Sequence, residues 1–250
     1  MFKKILLRFF WKAYDNIGKV FYVSILWFVT TTPFFLFTTY APFVQLLNMI
    51  ISLIFALLIF VSAISSFNVM SIVTREGSIE EKKIYQMFYS GILSFFKKGT
   101  ILFFINILIL FFAFINLKFY LYLPGALKYL GAILSGIIFW ILIFWATVHI
   151  YIFPLLVKKD LSLWRTIRTA LLLTLDNVFA SLGIFAICVL FFAVLTVSIA
   201  GFALLLVGVL AVFLDVAFAE IWKKYDKLVD TESDEEENRT FKELIKPWEA

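Results

Sequence analysis

The sequence predicts an all-α protein, a polytopic membrane helical bundle with six transmembrane helices in three hairpins and two inner interfacial amphipathic helices. Composition is the first reason: 63% of the 250 residues are hydrophobic, including 32 phenylalanines, and the mean hydropathy is +1.01. Soluble domains are only about 45–50% apolar, and in a soluble fold the excess would form large exposed patches. The other two reasons are the length of the apolar runs and the side on which the basic residues fall.

Six apolar runs are long enough to cross a bilayer, whose hydrocarbon core of about 30 Å needs roughly 20 residues. They cover approximately residues 20–39, 43–73, 100–117, 129–157, 177–198 and 201–219. Pro42 separates the first pair of runs, and Ala200-Gly201 separates the last pair. No A-x-A cleavage site follows the first run, so we expect it to remain as a span and not to be removed as a signal peptide. We predict a transmembrane bundle over residues 1–222 and a charged cytoplasmic tail over residues 223–250.

The basic residues indicate how the bundle is oriented. Five lie in the N-terminal arm, five after the second run, four after the fourth run and six in the tail, which leaves only Lys118 and Lys128 outside these segments. Such a bias is typical of cytoplasmic segments. We therefore expect a multi-pass protein of the plasma (cytoplasmic) membrane with both termini cytoplasmic. The sequence pI of about 9.2 is explained by cations that face anionic lipid headgroups, so the lipid bilayer is an expected partner and nucleic acid is not.

Two of the inner loops predict amphipathic helices that lie in the membrane interface. In residues 78–98, polar side chains recur every three or four positions and apolar ones occupy another face. In residues 158–171, the apolar residues Leu161, Trp164 and Ile167 lie opposite polar ones. Helices of this kind anchor and pack a bundle, or they dock a cytoplasmic or membrane protein partner. The candidate docking residues, which include two in the tail, are Trp164, Arg165, Arg168, Phe241 and Trp248.

Two ionisable residues, His149 and Asp215, lie inside apolar runs, and His149 is the only histidine of the chain. At 1.5 Å per residue, His149 is roughly 13–14 Å from the inner boundary at Lys158. Asp215 is about 10 Å from Trp222 by the same rise. If spans four and six are neighbours, the two side chains could meet in a proton or substrate site. The alternative is structural, with a neutral His149 bonded to a carbonyl or hydroxyl group and Asp215 bound to helix amides or interfacial water.

The fourth run carries two further features. Pro154 removes one backbone hydrogen bond, so we expect the helix to bend near its inner end. The small pairs Gly131/Ser135 and Ala132/Gly136 predict a closely packed face in its outer half.

Sequence patterns that would indicate an enzyme are absent. The chain contains no G-x-x-x-x-G-K-[ST] loop, no H-E-x-x-H and no G-x-S-x-G. One histidine, His149, and one cysteine, Cys188, cannot assemble a Cys/His zinc site. We therefore expect no catalytic residues, no metal and no cofactor, and we do not expect an enzyme.

The segment YIFPLLVKKDLSLWRTIRTALLLTLDN at residues 151–177 contains Pro-Leu-Leu, Leu-Ser-Leu and Ala-Leu-Leu-Leu motifs after its tyrosine. Together with SFFKKG at 94–99 and the placement of Asn16, Trp27 and Pro33, it resembles the YesL-like family of bacterial multi-pass membrane proteins, a domain of unknown function. The resemblance covers roughly residues 5–225. Where the family pattern has Gly-Pro-Ala-Thr after the first span, this chain has TTYAPFV, so the first outer turn departs from the family. The resemblance implies a helical membrane protein often associated with carbohydrate-uptake genes, and it supplies no catalytic residues.

These observations favour one function and leave an alternative. The first is a membrane accessory or regulatory subunit associated with carbohydrate uptake, which acts through its inner helices and tail. The alternative is a small-solute or proton-coupled secondary transporter with a polar site near His149 and Asp215. A wet cavity that holds both side chains would favour the transporter, and a dry core with exposed basic inner helices would favour the subunit.

Overall fold

The computed structural model describes residues 1–40, 45–77, 79–125, 127–159 and 161–225, with side chains described outside residues 34–47 and 199. Over these residues the chain forms helices joined by short turns, so the all-α prediction is confirmed. The helices of the described residues are α1 (Phe2–Asp15), α2 (Ile17–Tyr40), α3 (Gln45–Glu76), α4 (Glu81–Leu121), α5 (Leu127–Lys158), α6 (Leu163–Asp176), α7 (Val178–Thr196), α8 (Ile199–Leu204) and α9 (Leu206–Trp222).

The count of six membrane-crossing helices needs correction. Within the described residues, four helices are long and apolar enough to cross a bilayer, namely Asn48–Glu76, Glu81–Leu121, Leu127–Lys158 and Val178–Thr196. The predicted sixth run, 201–219, is not a single helix, because Leu205 leaves the helical conformation with φ −128° and ψ −33°. The chain is therefore divided into α8, with 6 residues, and α9, with 17 residues. A helix of 17 residues is about 25 Å long, which is shorter than the hydrocarbon core.

The predicted inner helix over 78–98 and the predicted third span are one continuous helix. This helix, α4, has 41 residues and is about 61 Å long. The basic residues at 97–98 suggested a boundary, but nothing in their backbone interrupts the helix. Gly99, the residue that follows, packs against α3, where an added Cβ would lie 3.0 Å from Val61 Cγ2. Gly91 approaches α3 in the same way, and Ser65 Oγ donates to the carbonyl oxygen of Phe88 at 2.5 Å.

The second predicted inner helix begins and ends later than expected. It is α6, at Leu163–Asp176, because α5 continues to Lys158. Its buried face, which contains Ile167 and Leu173, packs against the bundle. Trp164 was expected on that apolar face, but its side chain is exposed. The physical reason is that α5 and α7 cover only one side of the helix.

The packed core lies at one end of the bundle, where α1, the turn between α3 and α4, and the ends of α5 and α9 come together. There Lys19 Nζ donates to the carbonyl oxygen of Gly77. We call this the basic end. Toward the opposite end, residues 104–121 of α4, all of which the structure describes, contain no buried side chain. Large apolar side chains such as Phe114 and Trp140 are exposed there, as is typical of a surface that faces hydrocarbon.

Helix α9 is held against α2 by a very close backbone approach. An added Cβ on Gly208 would lie 2.6 Å from the carbonyl oxygen of Val20. The N–H of Gly208, in the first turn of α9, donates to Ser24 Oγ at 2.9 Å. The first N–H groups of a helix lack partners within the helix, so Ser24 acts as a cap supplied by another helix. This contact sets the depth at which the acidic residues of α9 lie.

Candidate functional site

Asp215 is the most deeply buried ionisable residue of α9, with 3% of its surface exposed. Its Oδ1 lies 2.6 Å from Lys158 Nζ, at the end of α5. Its Oδ2 accepts a hydrogen bond from Thr74 Oγ1, in the last turns of α3, at 3.1 Å. A single carboxylate therefore joins three helices at the basic end.

The position of Lys158 explains how a charge is tolerated at that depth. Its side chain is 29% exposed, and its ammonium also lies 5.9 Å from the ring centroid of Phe218. A lysine can lay its apolar stem along a packed surface while its charged group reaches a buried partner or water. A buried carboxylate without such a counter-ion would be strongly unfavourable.

His149 does not join this site. Its Nδ1 lies 3.0 Å from the carbonyl oxygen of Trp145, one turn earlier in α5, a contact that requires the proton on Nδ1. Its ring packs edge-on against the rings of Trp145 and Phe153, with centroids 5.3 and 6.1 Å away. Nine residues separate it from Lys158, which is roughly 13–14 Å along the helix. The structure thus places Asp215 beside Lys158, and it does not bring His149 and Asp215 together.

A second carboxylate on α9 binds the N-terminal helix. Glu220 Oε2 accepts from Arg8 Nη1 at 2.8 Å, and both side chains are 13% exposed. Lys4 and Lys223 approach the same carboxylate to 4.0 and 3.9 Å. The ion pair fixes α1 across the basic end, where an unattached amphipathic helix would otherwise be free to lie elsewhere in the interface.

Lys12, on α1, interacts electrostatically with Asp215 and with the cations Lys158 and Arg8. Burial lowers its pKa; the negative charge of Asp215 raises it, and the positive charges of Lys158 and Arg8 lower it further. The pKa of Lys223 is also lowered, first by burial and then by Arg8, against the opposing effect of Glu220. We define the charged site as these interacting residues: Lys4, Arg8, Lys12, Lys158, Lys223, Asp215 and Glu220.

The chain matches no protein-family model, no curated protein and no solved structure. The resemblance to the YesL-like family therefore stays a prediction that depends on the segments quoted above. In the structure, the segment at 151–177 forms the end of α5 and all of α6. It supplies packing contacts, since Tyr151 is buried with its hydroxyl 2.6 Å from Ser181 Oγ.

The remaining candidate residues lie in several places. Pro154 is buried inside α5, which continues past it to Lys158. Trp164, Arg165 and Arg168 lie on the exposed face of α6. The tail candidates, Phe241 and Trp248, lie outside the described residues, as does most of the predicted tail. No group of three His, Cys, Asp or Glu side chains that could hold a metal ion occurs in the part of the chain that the structure describes.

Sequence reasoning missed most of the charged site. Lys158 and the basic residues of α1 were assigned only to cytoplasmic segments, without partners. One pattern pointed to them: Lys4, Arg8 and Lys12 are spaced by four residues, which places them in a row on one face of a helix. A basic row beside two carboxylates of an otherwise apolar segment would have predicted an interhelical ion-pair cluster.

Proposed function

We propose that this chain is a membrane accessory or regulatory subunit, associated with carbohydrate uptake, that docks a protein partner through α6. One observation carries the proposal. Trp164 is 75% exposed on α6, with the exposed Arg165 and Arg168 beside it, although the other face of the same helix packs against the bundle. Tryptophan and arginine are the residues that most often dominate binding energy in protein interfaces.

The exposed row on α6 continues with apolar residues. Leu172 and Leu175 are 57% and 58% exposed, and they follow Trp164 and Arg168 at helical spacing. A row of this kind, with an aromatic and a basic group at one end and leucines at the other, suits a partner at the membrane interface. The link to carbohydrate uptake comes only from the resemblance of residues 151–177 to the YesL-like family.

The partners of the polar side chains inside the basic end favour an accessory subunit over a transporter. Asp215 is paired with Lys158 and accepts a hydrogen bond from Thr74. His149 is bonded to a carbonyl oxygen of its own helix. A proton or substrate pathway through both residues would need them to share a cavity. A groove of about 500 Å³ lies elsewhere, between α4 and α5, and its lining is almost wholly apolar.

We also propose that α2 and the α8–α9 pair complete six crossings, with the basic end and both termini in the cytoplasm of a cell bounded by a plasma membrane. Helix α2 has 24 residues, so it is about 36 Å long and exceeds the hydrocarbon thickness. Helices α8 and α9 together cover Ile199–Trp222 with a single interruption. The meeting of α1, α6 and the end of α9 at the basic end agrees with the retention of basic segments in the cytoplasm.

Site-specific photo-cross-linking in intact cells tests the docking proposal. A photoreactive amino acid at position 164 should give a discrete protein adduct, and mass spectrometry should identify that protein as a subunit of a carbohydrate importer. Arg168→Glu should abolish the adduct, because charge reversal repels the same partner. The matched control is the same photoreactive residue at Phe179, an aromatic position on α7 that is 90% exposed, where we expect lipid adducts.

Two outcomes would count against the proposal. Lipid adducts alone at both positions would show that α6 only anchors the bundle. A protein adduct at position 164 whose partner has no role in uptake would keep the docking surface and overturn the carbohydrate assignment.

A further inference from the structure

An open groove runs between α6 and the end of α9. Its volume is about 370 Å³, and most of its surface is apolar. It is lined by Thr169, Leu172, Leu173, Asp176, Trp222 and Tyr225. Leu172 is 57% exposed, so apolar surface remains open to a ligand on this side of α6.

The structure describes the chain as far as Tyr225, and Tyr225 lies at one end of this groove. Its hydroxyl donates a hydrogen bond to Asp176 in the last turn of α6, and Lys224 Nζ donates to the same carboxylate at 2.9 Å. Asn177 Nδ2 donates to the Tyr225 hydroxyl at 2.6 Å. These bonds fix the point at which the chain leaves α9. The residues that follow Tyr225 therefore start beside the groove.

The segment that follows has side chains that suit the groove. Residues 228–229 are a Leu-Val pair, and residues 230–237 contain six acids in eight positions. We call residues 226–237 the acidic segment. Five extended residues reach about 16 Å, which is the distance from Tyr225 to the first of the six acids. The 11 residues of α6 from Asp176 back to Arg165 also cover about 16 Å. The acids can therefore reach Arg165.

Two arginines of α6 provide positive charge at the other end of the groove. Arg165 precedes Thr169, Leu172 and Asp176 at intervals of three or four residues, so it continues the row that lines the groove. Arg168 lies next to this row. Both side chains are exposed, and neither has an ion-pair partner among the described residues. A carboxylate brought to this end of the groove would pair with them.

The covalent link makes such weak contacts sufficient. Exposed ion pairs contribute little, and they would not hold a free acidic peptide. A segment joined to the groove by a few residues is present at an effective concentration in the millimolar range, so several weak pairs can hold it in place. Lys82 and Lys83, at the start of α4, are also exposed, but they do not line this groove.

We infer that the acidic segment of this chain binds in the groove between α6 and α9, with its Leu-Val pair against Leu172 and Trp222 and its acids against Arg165 and Arg168. The bound segment covers the arginines that α6 presents to a partner, so the partner has to displace it. This regulatory consequence rests on the proposed docking through α6. The contact itself forms without a partner, so the two can fail separately.

Photo-cross-linking within the purified full chain, in mild detergent, tests the contact. A photoreactive amino acid in place of Leu172 should form an adduct with a peptide from the acidic segment, which mass spectrometry identifies after digestion. An equal amount of isotopically labelled chain without the photoreactive residue is mixed in, and we expect adducts to unlabelled peptide only. The matched control is the same photoreactive residue at Leu93, which is 78% exposed on α4 and should give no adduct with the acidic segment.

Charge reversal tests the ion pairs. Arg165→Glu combined with Arg168→Glu should lower the adduct yield about fivefold, because two attractive contacts become repulsive. Lys82→Glu combined with Lys83→Glu reverses two exposed lysines outside the groove and should leave the yield unchanged. Replacement of the six acids at 230–237 by lysine should also lower the yield. The same replacement in the chain with both arginine reversals should restore it, because opposite charges face each other again.

The regulatory consequence is tested in intact cells with the photoreactive residue at position 164. Replacement of the six acids by Asn and Gln should raise the yield of the partner adduct about threefold, since the partner no longer competes with the acidic segment. An unchanged partner adduct would overturn this consequence. Loss of every partner adduct, together with an intact adduct in the purified chain, would overturn the docking proposal and leave the contact in place.

Three results would overturn the contact. Lipid or detergent adducts alone at position 172 would show that the groove is filled from the bilayer. Adducts to the labelled chain would show that the segment belongs to a second copy. A yield that both arginine reversals leave unchanged would remove the ion pairs as its cause.

Discussion

At the scale of single residues, the ion pair between Asp215 and Lys158 is asymmetric. The carboxylate is almost fully buried, whereas the lysine side chain is 29% exposed and can turn to water. Lys158→Met should therefore destabilise the protein by about 3 kcal/mol, because it leaves a buried charge without a counter-ion. Asp215→Asn should cost only about 1 kcal/mol, since the amide keeps one hydrogen bond and the lysine becomes solvated. Denaturant unfolding in mild detergent, followed by tryptophan fluorescence, measures both.

The double variant makes this prediction specific. Asp215→Asn combined with Lys158→Met should be more stable than Lys158→Met alone, because the uncompensated charge is gone. Lys97→Met, at an exposed position on α4, controls for loss of a lysine. Costs that simply add in the double variant would mean that the two side chains are not coupled.

The sequence predicts which buried polar residues need a partner, because that need follows from burial alone. An acid in an apolar run needs a partner, and this rule directed attention to Asp215. The identity of that partner did not follow from the sequence, because the reach of Lys158 along the surface of α9 depends on how the helices pack. His149 was paired with Asp215 on estimated depth. Depth from helix rise ignores the length of the lysine side chain, which places Lys158 beside the carboxylate instead.

At the scale of helices, the approach of α2 and α9 depends on one glycine. Gly208→Ala should destabilise the protein by about 2 kcal/mol, even though alanine favours a helix by about 1 kcal/mol over glycine. The added Cβ would lie 2.6 Å from the carbonyl oxygen of Val20 and 2.8 Å from Ser24 Oγ, so the helices would have to separate. The hydrogen bond that caps α9 would be lost with them.

Gly136→Ala is the matched control for this substitution. Gly136 also lies inside a helix, but nothing is within 4 Å of an added Cβ. Its replacement should be neutral or stabilising by up to about 1 kcal/mol. A comparison of the two variants by thermal unfolding separates packing from helix propensity. Equal effects of the two substitutions would show that α2 and α9 tolerate separation.

Helix boundaries were harder to predict than helix identity. The apolar periodicity of α4 and α5 was evident, but the basic residues at 97–98 suggested an end that the backbone does not have. The small pairs in α5 gave a mixed result: Gly131 lies close to the backbone of Tyr120, whereas Gly136 faces open space. Spacing identifies small residues, and only the packing of a neighbouring helix decides which of them is needed.

At the scale of the whole molecule, the distribution of charge says more about the orientation of the chain than its hydrophobicity does. The four helices that meet the length and hydropathy needed for a span do not by themselves orient the chain. The basic segments were predicted to share one side from their count alone, and α1 meets the ends of α5 and α9 at the basic end. The interior arrangement could not be predicted in this way, because an all-apolar helix has no preferred face.

Cysteine labelling tests the proposed orientation. In a background with Cys188→Ser, a membrane-impermeant maleimide applied to intact cells or spheroplasts should label Tyr122→Cys, an 80% exposed position between α4 and α5. It should not label Lys3→Cys or Lys82→Cys until the membrane is opened, because both positions lie in basic segments, which the proposed orientation puts in the cytoplasm.

The same experiment tests whether α2 crosses the membrane. Position 3 precedes α2 and position 82 follows α3, which is long and apolar enough to cross the membrane. If α3 crosses, the two positions lie on the same side only if α2 crosses as well. Labelling of Lys3→Cys with protection of Lys82→Cys would mean that α2 does not cross the membrane. The contacts between α1 and α9 argue against that result, since Arg8 and Glu220 pair at 2.8 Å at the same end of the bundle as Gly77. Labelling of Lys82→Cys with protection of Tyr122→Cys would invert the molecule, and the charged site would then face the exterior.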